Sequence, residues 1–146
     1  MLIRDPTPED EAAWRHLWSG YVAFYESEVS DEVTAATWQR LLTPGSNMFG
    51  RIAEWQKAVA GFTVCVLHAG SWTLAPICYL EDLFVDAGAR GHGIGRALIE
   101  DLIGMARDNG WSRLYWHTRQ SNEAARRLYD KFAEADDFVR YRMLLS

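Results

Sequence analysis

Two hydrophobic periods run through the chain, and the changes between them mark out its elements. Leu2-Ile3-Arg4 predicts a short first strand. Thr7-Pro8-Glu9-Asp10 reads as a helix start, with a capping hydroxyl, proline at the first helical position and acids in the first turn. Behind it Trp14, Leu17, Trp18, Tyr21 and Tyr25 recur at helical spacing. A second short helix is expected over Thr34 to Leu42, ending before Pro44-Gly45. Phe49 to Trp55 and Ala58 to His68 read as antiparallel strands joined tightly at Gln56-Lys57. Ala69-Gly70-Ser71 breaks the pattern, and Cys78 to Val85 is a further apolar strand. A helix over Ile94 to Asp108 carries Ile94, Leu98, Leu102 and Met105 and stops at Asn109-Gly110. Arg113 to Thr118 is another strand, and Ser121-Asn122 caps a helix with Ala125, Leu128, Tyr129 and Phe132 on one face. Phe138 to Leu145 is expected to close the chain as a strand. This order predicts an α/β layered domain with a mixed sheet.

Composition narrows the class. A length of 146 residues suits one domain over residues 1–146. With 49% hydrophobic and 24% charged residues the chain is globular rather than disordered. Seven Trp and six Tyr supply core mass and enough aromatic surface to line a cleft. A net charge of -5 argues against nucleic acid or an anionic membrane as partner, and leaves room for a cationic one. Cys65 and Cys78 lie in apolar stretches and read as small buried hydrophobes, not as a disulfide framework. There is no basic-then-apolar leader, and no apolar run nears the ~18 residues of a membrane span, so a cytoplasmic protein is expected. His16, His68, His92 and His117 lack metal-ligand spacing, so no metal is expected.

The chemistry concentrates at Arg90-Gly91-His92-Gly93-Ile94-Gly95, between a strand and a helix. Three glycines let the backbone turn tightly and approach a ligand, and the helix behind aims its first N–H groups into the loop. Arg90 and Arg96 add charge on either side, which suits a pyrophosphate. A Gly-rich turn of this kind is also found with a purely structural role. The loop has no Gly-Lys-Ser/Thr, which excludes a Walker site. A dinucleotide fingerprint from Gly93 would need a small residue where Leu98 stands.

The loop fits Arg/Gln-x-x-Gly-x-Gly/Ala as Arg90, Gly93 and Gly95. With Cys78-Tyr-Leu-Glu-Asp-Leu-Phe-Val85 upstream, and Leu114-Tyr-Trp-His-Thr118 and Ser121-Asn-Glu-Ala-Ala-Arg-Arg-Leu-Tyr129 downstream, it resembles the GNAT N-acetyltransferases. The resemblance is to the yeast-type histone/polyamine and the spermidine/spermine groups. Trp18 to Tyr25, and Asp31-Glu-Val-Thr34 with Trp38, extend it over nearly the whole chain. One departure is Ala133, where a helix-ending glycine is common in the family. The resemblance implies a mixed, mostly antiparallel sheet flanked by helices, acetyl-CoA as co-substrate, a primary amine as acceptor (polyamine, amino acid or lysine side chain) and a homodimer paired through C-terminal segments. A non-catalytic acyl-CoA sensor is the alternative.

Acyl transfer to an amine requires removal of an ammonium proton, stabilisation of an oxyanion and stabilisation of a leaving thiolate. Strand alternation sends Glu81 and Asp82 to opposite faces. By resemblance Glu81 is the base or the group that holds the amine. Leu83, Phe84 and Val85 would lie along the acetyl-pantetheine arm on a splayed strand, and Gly91, His92, Ile94 and Arg96 would complete the cofactor loop. Asn122 and Tyr129 lie seven residues apart, about two turns, on one helix face. By resemblance Asn122, with Ala125, touches the cofactor and Tyr129 serves its sulfur, although Tyr129 also fits an ordinary core stripe. Arg126 fits either a cofactor phosphate or solvent. Tyr25, Glu26, Glu28 and His117 are the candidate acceptor residues, with Asp31, Tyr21 and Trp38 nearby in the pattern. No G-x-S-x-G and no Cys beside an evident His support a covalent acyl-enzyme, so direct attack is expected.

Overall fold

Five strands pair in chain order, β1-β2-β3-β4-β5, in one sheet of the computed structural model, which describes residues 1–146. β1 (Leu2–Arg4), β2 (Met48–Trp55), β3 (Ala58–His68) and β4 (Ile77–Val85) are antiparallel neighbours, and β5 (Arg113–Trp116) joins β4 in parallel. The sheet is therefore mixed and mostly antiparallel. The β2–β3 turn is made by Gln56 and Lys57, both at positive φ (52° and 64°), which matches the twist of a two-residue hairpin.

Helices cover both faces. α1 (Glu11–Phe24) and α2 (Asp31–Leu42) lie on one, where Trp14, Trp18 and Trp38 pack on Ile52, Phe62 and Val64. Trp14 is the hub, with ring centroids 5.1 Å from both Trp18 and Trp38. α3 (Ile94–Asn109) covers the other face through Ile94, Leu98 and Leu102. It begins at left-handed Gly93 and ends at left-handed Gly110, the two positions where the sequence punctuates it with glycine. α4 (Glu123–Tyr129) follows β5 and starts at Asn122, whose side chain accepts from Ala125 N at 3.2 Å. No helix is long and apolar enough to cross a membrane.

Three expectations are corrected. α2 starts at Asp31 rather than Thr34, because Ser30 caps it by accepting from Val33 N. The strand expected to Thr118 stops at Trp116, where β4 and β5 part. Phe138 to Leu145 forms no strand: the segment pairs with nothing and its apolar side chains are exposed, Phe138 to 88% and Leu145 to 86%. β1 and β5 each keep an unpaired outer edge, and the segment docks on neither.

Candidate active site

The site begins as a fault in the sheet. β3 and β4 pair Cys65 with Leu80 and Val64 with Asp82, so Glu81 has no partner and bulges out. The β4–β5 ladder ends at the same level, with Leu80 opposite Trp116. Beyond it Asp82–Val85 pairs with β3 alone, and its other backbone edge is free. The opening lies at the carboxyl ends of two parallel strands, the usual place for a ligand in such sheets.

The bulge also overturns the expectation that Glu81 and Asp82 face opposite sides. It shifts the alternation by one residue. Leu80 packs on the α3 face, and Asp82 points instead at α1, where Tyr21 Oη donates to its Oδ1 at 2.6 Å. Phe84 follows it to the α1 side, while Leu83 and Val85 pack towards α3. Burial pushes the Asp82 carboxyl up to about 6, the Tyr21 hydrogen bond opposes that, and the Glu81 charge adds to it. Burial also raises the Tyr21 phenol above its usual range, and the Asp82 charge raises it further. The sequence reading sent Asp82 to the opposite face because it applied strict alternation, although the resemblance implies a splayed strand at this point.

A cleft of about 1110 Å³ runs from this point between α1, β5 and α4. Of the sequence candidates it collects Tyr25, Glu26, Glu81, His117 and Tyr129. Glu28 is not among them. It lines a separate groove between α1 and α2, because the chain turns away at Glu26 (φ 51°). Asp31 lines that same groove, and Trp38 is buried in the core. His117 Nδ1 lies 3.2 Å from Tyr79 Oη on the cleft wall. Tyr129 is half-buried, edge-on to Trp116 at 5.5 Å, and its hydroxyl has no hydrogen-bond partner in the chain. Burial, with a smaller contribution from Tyr25, pushes its pKa up to about 12. A phenol that holds its proton so tightly suits hydrogen-bond donation to a thiolate better than outright proton transfer, since a thiol has a pKa near ~8.5.

The glycine loop sits at the N-terminus of α3. Gly91 (φ 84°) and Gly93 (φ 78°) need glycine for their backbone conformation, and a Cβ on either would meet open space. Gly95 differs: a Cβ there would come within 3.2 Å of Leu128, so it permits α3 to pack on α4. Helix geometry leaves the first N–H groups of α3 without intrahelical partners, facing this open side. The flanking charges are partly engaged. Arg90 Nε donates to Val85 O at 3.3 Å, Arg96 pairs with Glu100 at 2.8 Å, and His92 stacks on Trp55 with centroids 4.3 Å apart. Asn122 and Ala125 meet each other in the cap of α4, and Arg126 donates to Gln120 O. The donor set of loop and free strand edge fits an extended phosphate-bearing co-substrate. No group of three or more His, Cys, Asp or Glu is placed to hold a metal ion.

Comparison with known proteins agrees with this layout. The Acetyltransferase (GNAT) family model matches residues 11–133. A D-amino-acid N-acetyltransferase of Saccharomyces cerevisiae is 34% identical over 145 residues, 97% of this chain and 89% of that protein. An uncharacterized N-acetyltransferase of Bacillus subtilis is 32% identical over 143 residues, 97% of this chain and 95% of the other. In fold the chain is similar to the crystal structure of a probable acetyltransferase, with a TM-score of 0.86 at 23% identity, covering 100% and 99% of the two chains. An aminoglycoside acetyltransferase from an uncultured soil metagenomic sample gives 0.80 at 20%, covering 99% and 96%. The chain belongs to the GNAT acetyltransferase family.

Proposed function

We propose that this chain is an acetyl-CoA-dependent N-acetyltransferase that passes the acetyl group directly to the primary amine of a small molecule or a lysine side chain. The observation that carries the reading is the bulge at Glu81, with the β4 edge opened beyond Leu80 and the glycine loop of α3 close by in the chain. In this reading the α3 N-terminus and residues 90–96 hold the pyrophosphate. The free edge of Leu83, Phe84 and Val85 takes the pantetheine arm, with Asn122 and Ala125 across from it.

Glu81 attracts the ammonium and takes its proton, directly or through water. The amine nitrogen then attacks the thioester carbonyl, whose oxygen is stabilised by backbone N–H groups of the bulged strand. The N–C bond forms, the C–S bond breaks, and the leaving thiolate, which accepts a hydrogen bond from Tyr129, takes up the second proton shed by the acylated nitrogen. Free thiol, the acetylated amine and one proton are the products. The name of the yeast relative favours amino acids among the acceptors, alongside the polyamines suggested by the sequence resemblance.

Two free, buried thiols, Cys65 and Cys78, suit a cytoplasmic protein, and the net charge of -5 argues against nucleic acid as partner. A homodimer is part of the same reading. The exposed Phe138 to Leu145 segment and the unpaired outer edge of β5 are complementary surfaces that a second copy would cover. The test is thiol release from acetyl-CoA over spermidine, a lysine peptide and free amino acids. Turnover on one class supports the reading, and tight acetyl-CoA binding without turnover on any amine replaces it with a sensor.

A further inference from the structure

The cleft that lines Glu81 and Tyr129 also lines five arginines, at positions 113, 119, 126, 140 and 142. None of the six ion pairs in the chain includes any of them. Their positions differ. Arg113 lies over Tyr115 at the start of β5, far along the strand from the bulge, and Arg126 is engaged with Gln120 O. Arg140 and Arg142 belong to the exposed C-terminal segment.

Arg119 is three residues past the end of β5, on the side where the sheet opens. Its guanidinium lies 5.4 Å from the centre of the Tyr25 ring. Tyr25 packs edge-on against Tyr21 at 5.1 Å, and Tyr21 holds Asp82 beside Glu81. The aromatic pair thus links an anionic pole at the bulge to a cationic pole at Arg119. The contact holds the guanidinium beside the ring, and none of its N–H groups donates to a partner within the chain, which leaves them free to receive a carboxylate in two parallel hydrogen bonds.

The geometry points to Arg119 as the receptor for a carboxylate on the acceptor, so that the site selects amino acids over polyamines. This rests on the acetyltransferase reading and adds the acceptor's second pole. The amine lies at the carboxylates of the bulge and the substrate carboxylate at Arg119. A polyamine would instead bring a second ammonium up to an unpaired guanidinium, and that like-charge contact rejects it.

The test compares phenylalanine, in both enantiomers, with phenylalaninamide and phenethylamine, which keep the amine and lose the carboxylate charge. Thiol release gives kcat/KM for wild type, Arg119→Gln and Arg119→Lys. Wild type should prefer one phenylalanine enantiomer over both analogues. Arg119→Gln should lower the amino acid-to-amine ratio about 10- to 100-fold, mainly through KM, as expected for loss of a charge-assisted hydrogen-bonded pair. Arg119→Lys should recover part of it. An unchanged ratio in Arg119→Gln, or a wild type that prefers phenethylamine or spermidine, overturns the assignment while leaving the acetyltransferase intact. If no acceptor turns over, the acetyltransferase reading fails. Calorimetry of the same ligands with CoA present then decides Arg119 separately: amino acid binding weakened in Arg119→Gln sustains the assignment, and equal binding in both proteins ends it.

Discussion

Charges in this molecule follow two different rules in two places. Under the sheet they are paired. Arg4 donates to both oxygens of Asp10, at 2.7 and 2.8 Å, and to Glu54 at 2.7 Å, tying β1 to the start of α1 and to β2. Arg51 does the same for Asp101 of α3 and for Asp5. In the cleft they are not. Glu81 stands on a bulge, Tyr129 keeps a free hydroxyl, and Arg119 lies over the Tyr25 ring and belongs to none of the chain's ion pairs. Paired charges hold elements in register, whereas unpaired ones leave hydrogen-bonding capacity for something else. Substitutions on the two sides should therefore separate stability from activity.

The largest effect is expected at Tyr129. Tyr129→Phe removes one unpartnered hydroxyl and no packing, so kcat should fall about 10²- to 10³-fold, the range for loss of one hydrogen-bond donor to developing negative charge. The urea midpoint should stay within experimental error of wild type. A parallel loss of stability would mean that Tyr129 belongs to the scaffold.

Asp10→Asn probes the other side. It breaks a buried, bidentate pair and should cost roughly 2–3 kcal/mol in urea denaturation with KM and kcat unchanged. Arg4 holds the Asp10 carboxyl below the usual carboxylate range, against the opposing effect of burial. A depressed carboxyl contributes stability above its unfolded pKa and loses it as pH falls through the folded one. The gap between wild type and variant should therefore narrow as the solution is acidified below about pH 4.

Asp82 carries the opposite sign. Its folded carboxyl sits at about 6 against an ordinary 3.8, so the folded state loses stability as pH rises between those values. Asp82→Asn keeps an acceptor for Tyr21 and removes the buried charge. It should be more stable than wild type by on the order of 1–2 kcal/mol at pH 7.5, with the difference gone near pH 3.5. A difference that does not vary with pH would show that the carboxyl is not displaced.

The smallest effect belongs to Glu26, which closes α1 in a left-handed conformation that glycine adopts freely. Glu26→Gly should add about 0.5–1 kcal/mol of stability, and it removes an acid from the cleft rim. If KM for the acceptor stays constant in that variant, Glu26 is a strained cap and nothing more.

The order of elements was legible because each has a clean period or punctuation. Trp14, Leu17 and Trp18 mark α1, and Gly93 and Gly110 bracket α3. The start of α2 was misread because Ser30 caps it from within a polar stretch, four residues before Thr34, where the sequence pattern starts the helix. Phe138 to Leu145 was misread for a different reason. Alternation and apolarity describe what a strand needs, and the segment docks on neither free edge of the sheet in its own chain. The same limit governed the site. Glycine spacing located the loop, and the resemblance carried Glu81 and Tyr129 to their positions, but register is a relation between two strands. One unpaired residue at 81 reversed the direction of Asp82, and no local pattern announces it. Arg119 was invisible likewise, since its meaning lies in Tyr25, ninety-odd residues away in sequence and in contact with it in the fold.

The most direct measurement is acetyl-CoA turnover, followed by thiol release over a panel of amino acids, amines and polyamines, in wild type, Glu81→Gln and Tyr129→Phe. Rapid turnover on at least one amine, slowed by both substitutions while acetyl-CoA binding stays intact, is the expected result. Acetyl-CoA bound with no amine acetylated, or turnover indifferent to both substitutions, would contradict the assignment of this cleft as the place where acetyl transfer occurs.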